Sequence, residues 1–163
     1  MPLRSIVNLL GREKLTAELS KRVDRQERLY IKGAARSAKA LISSSISRSN
    51  NRPLLIIVPT MEDATSWFSI LQTMGWKRTF LYPTSEASPY EFIDPTTEII
   101  WGQLQVLSDL LKEGINNEMA IIGTERCLQP HLPSPEILEN KCIYITKGLN
   151  LDMQIISNKL SSI

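Results

Sequence analysis

Gly33 and Lys39 are the residues of this chain whose types and spacing best suit a recognisable chemistry. A glycine followed six residues later by lysine lies between the apolar run Leu29-Tyr30-Ile31 and a helix-prone stretch beginning near Ser37, which is the strand, loop, helix order of a phosphate-binding loop. In the pattern Gly-x-x-x-x-Gly-Lys-Ser/Thr, backbone N–H groups wrap the phosphates, the lysine reaches the outer phosphates and the final hydroxyl holds Mg²⁺. Only Gly33 and Lys39 match. Ala38 stands at the second glycine and Ala40 at the hydroxyl. What remains is a relic of four residues, Gly33, Arg36, Ser37 and Lys39: two cations, a loop glycine and a helix start, which attract an anion through charge and the helix dipole but lack a metal ligand. The plainer reading is a strand-to-helix turn with a solvated lysine.

Hydrolysis of a nucleotide needs acidic groups that hold Mg²⁺ and water. No Asp-Glu-x-His or Asp-Glu-x-Asp motif occurs in the sequence, so no catalytic residue is assigned. Cys127 and His131 are four apart, but Pro130 lies between them and no further Cys or His is near, which argues against a metal site. Cys127 and Cys142 are the only cysteines and read as reduced thiols.

The elements that would carry the loop follow from periodicity. At 163 residues the chain suits one domain, or one domain and the start of another, and a net charge of +2 does not by itself argue for a nucleic-acid or membrane partner. Residues 4–25 read as a helix with Leu15, Leu19 and Val23 on one stripe. Arg28 to Ile31 reads as a first strand, followed by the loop and a helix to about Arg48 with its serines on the outer side. Leu54 to Val58 is a continuous apolar run, as in a parallel-sheet strand buried on both faces, which would complete a βαβ unit. Thr60 with Asp63 resembles a capping box, and Ala64, Trp67, Phe68, Leu71 and Met74 follow at helical spacing until Gly75. Thr79–Tyr82, Met119–Ile122 and Lys141–Thr146 read as further strands. Asp94-Pro95 opens a helix whose stripe is Ile100, Leu104, Leu107 and Leu111, closed by Gly114, and a last helix spans Leu151 to Leu160. A proline-rich irregular stretch at residues 83–95 would sit at the carboxyl edge of the sheet, where loops commonly carry function, and Pro130, Pro133 and Pro135 mark a second irregular stretch. The longest apolar runs are far below membrane-spanning length and the N-terminus lacks an apolar signal core, so a cytoplasmic protein with no membrane partner is expected.

Four stretches together, the loop from Gly33 to Ala40, Val58 to Ala64, Pro83 to Glu91, and Ile121 to Pro133, resemble the N-terminal region of the bacterial transcription-repair coupling factor family. The similarity runs through essentially the whole chain. Its most specific parts are Ser88-Pro89-Tyr90-Glu91 with the following Pro95, and the turn from Thr124 to Pro130. The resemblance implies an α/β fold: a parallel-sheet, P-loop or helicase-like three-layer core similar to the first domain of UvrB, with a degenerate phosphate loop, over residues 1–140. Residues 141–163 would then open a truncated second domain of the UvrA-binding type. It implies no catalysis and no cofactor for this chain, the ATP and Mg²⁺ belonging to a motor elsewhere in the parent protein. The partners it implies are the remaining domains of that protein, UvrA through the mostly absent second domain, and RNA polymerase and DNA through the full-length protein. Ser88, Pro89, Tyr90, Glu91, Arg126 and Gln129 are the candidate interface-loop residues. Two features depart from the pattern: Glu91 runs directly to Pro95 with no inserted DNA-clamping hairpin, as UvrB-like proteins have, and Gln103 stands where the family usually carries arginine.

Overall fold

The computed structural model describes residues 3–85, 97–128, 132–143, 147–148, 153–154 and 157. Its centre is a small, wholly parallel sheet of three strands: β1 (Leu54–Val58), β2 (Arg78–Leu81) and β3 (Met119–Thr124), in the order β1-β3-β2. Leu54 lies opposite Ala120 and Arg78 opposite Met119, so the last strand in the sequence is the middle one in space. The helices are α1 (Leu3–Leu10), α2 (Lys14–Asp24), α3 (Arg36–Ser49), α4 (Met61–Thr73), α5 (Thr97–Glu113) and α6 (Pro135–Lys141). This is an α/β fold.

One face of the sheet carries the core. Val58, Ala120 and Ile122 meet Ala40 of α3 and Ala64 and Leu71 of α4, with Leu54, Ile56 and Leu81 partly buried beside them. α4 is set where its sequence signals put it: the Thr60 hydroxyl accepts the Asp63 amide at 3.1 Å, and Gly75 takes φ +76° where the chain leaves the helix. On the opposite face β1 is open, with Leu55 56% exposed and Ile57 exposed as well. Burial on both faces, expected from the unbroken apolar run, is therefore met on one face of β1 only. α5 runs along β2, joined to it at both ends: Gln103 Nε2 donates to the Pro83 carbonyl at 2.8 Å and Glu113 pairs with Arg78.

Several sequence expectations are corrected. The N-terminal helix is two helices, interrupted at Gly11, whose position allows α1 to approach Ser45 and Ser49 of α3: a Cβ there would stand 3.3 Å from Ser49 Oγ. α2 buries Thr16 and Ser20 rather than Leu15, which is exposed. Three of the six serines of α3 face inward. Ser44, Ser45 and Ser47 are buried, Ser45 against Val7 of α1 and Ser44 against Met74 and Trp76, and small hydroxyl side chains let the chain pack closely while each proton finds an acceptor. Ser45 Oγ donates to the Val7 carbonyl and Ser47 Oγ to the Arg52 carbonyl, while Ser44 Oγ accepts the Trp76 indole N–H at 3.0 Å.

Arg28–Ile31 is not a strand. Leu29 and Ile31 instead line an apolar cavity beside Val23, Ile46 and Leu54, and Tyr30 projects outward, so the βαβ unit expected across α3 is not formed. Lys141 closes α6, a helix the proline-rich stretch concealed, with Ser134 as its cap; the strand expected from Lys141 fails at that residue and at Cys142 and Ile143, and its remainder lies outside the described residues. The stripe expected on α5 is met only in its second half: Val106 is buried and Leu107 and Leu111 are half-buried, while Ile100 and Leu104 are exposed. Among the described residues no helix is long and apolar enough to cross a membrane.

Candidate functional site

The three strands end alike in sequence: Val58-Pro59-Thr60, Tyr82-Pro83-Thr84 and Gly123-Thr124. Because the strands are parallel, these ends share one edge of the sheet, and the threonines gather around a cavity of about 290 Å³ lined also by Ser85, Glu125 and Arg126. The carboxyl edge is where open parallel sheets hold their ligands. Thr84 and Thr124 share a buried hydrogen bond, 2.7 Å between their oxygens, and Thr60 is occupied as the α4 cap. Arg126, one of the residues singled out from the sequence, donates to the Ser85 carbonyl at 2.7 Å, fastening the short 3₁₀ turn Glu125–Leu128 to the segment after β2. The threonine cluster is the feature that sequence reasoning passed over. Its signal was the threonine that recurs just after, or at the last position of, each strand.

Gly123 makes the turn fit. A Cβ on it would stand 2.8 Å from Cys127 Sγ, so a glycine lets the turn fold back over the end of β3. Burial pushes the Cys127 thiol up from its ordinary value, only partly countered by a backbone hydrogen bond, and burial followed by the neighbouring Cys127 raises the Tyr82 phenol. A thiol kept protonated is a poor nucleophile. The edge therefore offers hydroxyls, a guanidinium and a carboxylate for binding, with its hydroxyls already engaged in structure.

The loop residues are distributed differently from a working phosphate loop. Gly33 has φ +72°, a backbone conformation that suits glycine, and no atom lies within 4 Å of where its Cβ would be. Arg36 opens α3 and forms an ion pair with Asp63 in the first turn of α4. Ser37 is exposed. The Lys39 amide donates to the Ala35 carbonyl at 3.0 Å, so it is spent within the helix, and its carbonyl accepts from Ser43. Ala40 is 0% exposed and belongs to the core. The structure thus brings Arg36 to the α4 N-terminus, next to the threonine edge, while directing position 40 inward. Gln103 ties α5 to the Pro83 carbonyl. Ser88, Pro89, Tyr90, Glu91 and Gln129 lie outside the described residues. No family model matches the chain, and searches of curated proteins and of solved structures give no significant match.

Proposed function

We propose that this chain is a non-catalytic scaffold domain of the kind found at the N-terminus of bacterial transcription-repair coupling factors, an α/β unit similar to the first domain of UvrB with an inactive phosphate loop. The observation that supports it most directly is the setting of Ala40. A hydroxyl that holds Mg²⁺ must face the mouth of the loop, whereas position 40 is enclosed among Val58, Ala64 and Leu71. The pairing of Arg36 with Asp63 adds to this, since the loop's second cation is committed to a neighbouring helix rather than to a phosphate. In this reading the sheet and its interfaces persist while turnover is given up. The domain packs against later parts of the parent protein, which carry the ATP-driven motor and the contacts with RNA polymerase and duplex DNA, and it supports the surface that recruits UvrA. The exposed side chains Leu55, Ile57, Ile100 and Trp101 suit a unit that has neighbours to cover them.

Calorimetric titration with ATP and ADP, each with and without Mg²⁺, tests the proposal. The expected result is no Mg²⁺-dependent binding at millimolar nucleotide, and none gained in an Ala40→Thr variant, which should instead lose about 1–3 kcal/mol of stability through overpacking. Mg²⁺-dependent binding that disappears in Lys39→Ala would overturn the reading and make this a working nucleotide site.

A further inference from the structure

The opposite edge of the sheet holds a second cavity, of about 170 Å³, between α1, the last turn of α3 and the segments that lead into β2 and β3. Its charged lining is Arg4, Arg48, Lys77 and Glu118. Three cations thus face one carboxylate, and that carboxylate is taken: Lys77 Nζ lies 2.6 Å from Glu118. Among the described residues, no ion pair engages either arginine.

Arg48 is held through its planar group, and Arg4, an exposed residue, through its stem. The Arg4 stem lies on Gly75, so closely that a Cβ there would stand 2.8 Å from its carbons. Arg48 stacks over the Trp76 ring at 5.1 Å, and that ring is fixed by its indole N–H bond to Ser44. Arg48 donates one hydrogen bond, to the Met74 carbonyl at 3.0 Å, out of the five N–H donors of a guanidinium. Burial first, then the positive charge of Arg4, push the Arg48 guanidinium down from its ordinary value, with Glu118 pulling the other way. Two like charges, one of them partly buried, repel unless an anion sits between them.

We propose that this cavity binds a phosphate-type oxyanion, of orthophosphate to pyrophosphate size, between Arg4, Arg48 and Lys77. A guanidinium fork matches two phosphate oxygens, and a multiply charged anion can satisfy both arginines where a single carboxylate cannot. The volume admits the phosphate group but is small for a whole nucleotide, since cavities for such ligands run from about 300 Å³ upward. The site is separate from the loop at Gly33 and does not depend on the scaffold reading.

Calorimetry of the full chain at low ionic strength with orthophosphate, pyrophosphate, AMP and succinate tests it. Saturable one-to-one binding of pyrophosphate is expected in the sub-millimolar range, weakened about tenfold, or about 1.4 kcal/mol, by Arg4→Met and by Lys77→Met. Arg4→Met keeps the stem on Gly75 and removes the charge. Lys39→Ala should leave affinity unchanged, which separates this cavity from the loop. AMP binding as tightly as pyrophosphate would assign the phosphate of a larger molecule, with its carrier outside; free-phosphate binding alone would assign the inorganic ion. Absence of saturable binding below about 10 mM, an affinity unmoved by Arg4→Met, or succinate binding as well as pyrophosphate overturns the proposal. Should Arg4→Met fail to fold, Trp76 emission in a Trp67→Phe, Trp101→Phe background reads the site directly: pyrophosphate must change it, and an unchanged spectrum at saturation overturns the proposal equally.

Discussion

Cys127 shows how a residue can look chemical in sequence and be structural in the fold. Its spacing to His131 invites a metal reading, yet its sulfur fills the space that Gly123 leaves at the end of β3. The raised thiol of Cys127 and phenol of Tyr82 also couple stability to pH. Both groups are favoured in their protonated forms, so the stability they contribute is complete below their ordinary values, 9.0 and 10.0, and is lost as pH rises through the higher values they have in the fold. Urea midpoints measured from neutral to strongly alkaline pH should therefore fall on the alkaline side, and the fall should be shallower in Cys127→Ala. A midpoint as steep in the variant as in the parent would remove Cys127 from the account. At this scale the sequence was readable where a residue acts on its own backbone, as Thr60 and Gly75 do. It was opaque for Arg36 and Ala40, whose meaning depends on α4 lying alongside α3.

Helices and strands were legible in existence more than in orientation. The apolar runs of β1, β2 and β3 and the bounds of α4 follow from pattern and punctuation, whereas the faces of α2, α3 and α5 depend on what covers them. Serine at Ser44, Ser45 and Ser47 reads as solvent-facing by type; packing against α1, Met74 and Trp76 makes it an interior surface. Arg28–Ile31 had strand composition, as apolar as that of β2, but Leu29 and Ile31 found burial beside Val23 of α2 and Ile46 of α3 instead. The face of α5 is set by Gly102, where a Cβ would stand 2.7 Å from the Pro83 ring. Gly102→Ala raises helix propensity by about 1 kcal/mol. The collision with Pro83 should cost about 1–3 kcal/mol and prevail, giving a net loss in urea unfolding. In a Pro83→Ala background the same change should turn neutral or stabilising; an equal loss there would mean that the ring does not set the packing.

At the scale of the whole molecule, the sheet is covered unevenly: on the face away from α3 and α4, Met119 at the start of β3 is fully buried while β1 is open. α3 and α4 cover one face of the sheet, while Leu55 and Ile57 on the other face, and Ile100, Trp101 and Leu104 on α5, meet solvent. Trp101 is 68% exposed and Trp76 only 6%, so the indoles should separate in solution. Acrylamide should quench a large part of the emission, and Trp101→Phe should remove most of that part. Emission from Trp101 that resists quenching would show its face covered in solution, by association of chains or by another segment. The strand order has a consequence for synthesis. β1 and β2 never touch; each pairs only with β3, the last of the three to be made. Contacts between segments so distant in sequence form slowly, and their partners are exposed while they wait. On the ribosome, a nascent chain halted before Met119 holds two apolar strands and no sheet, and needs shielding until the middle strand emerges to join them.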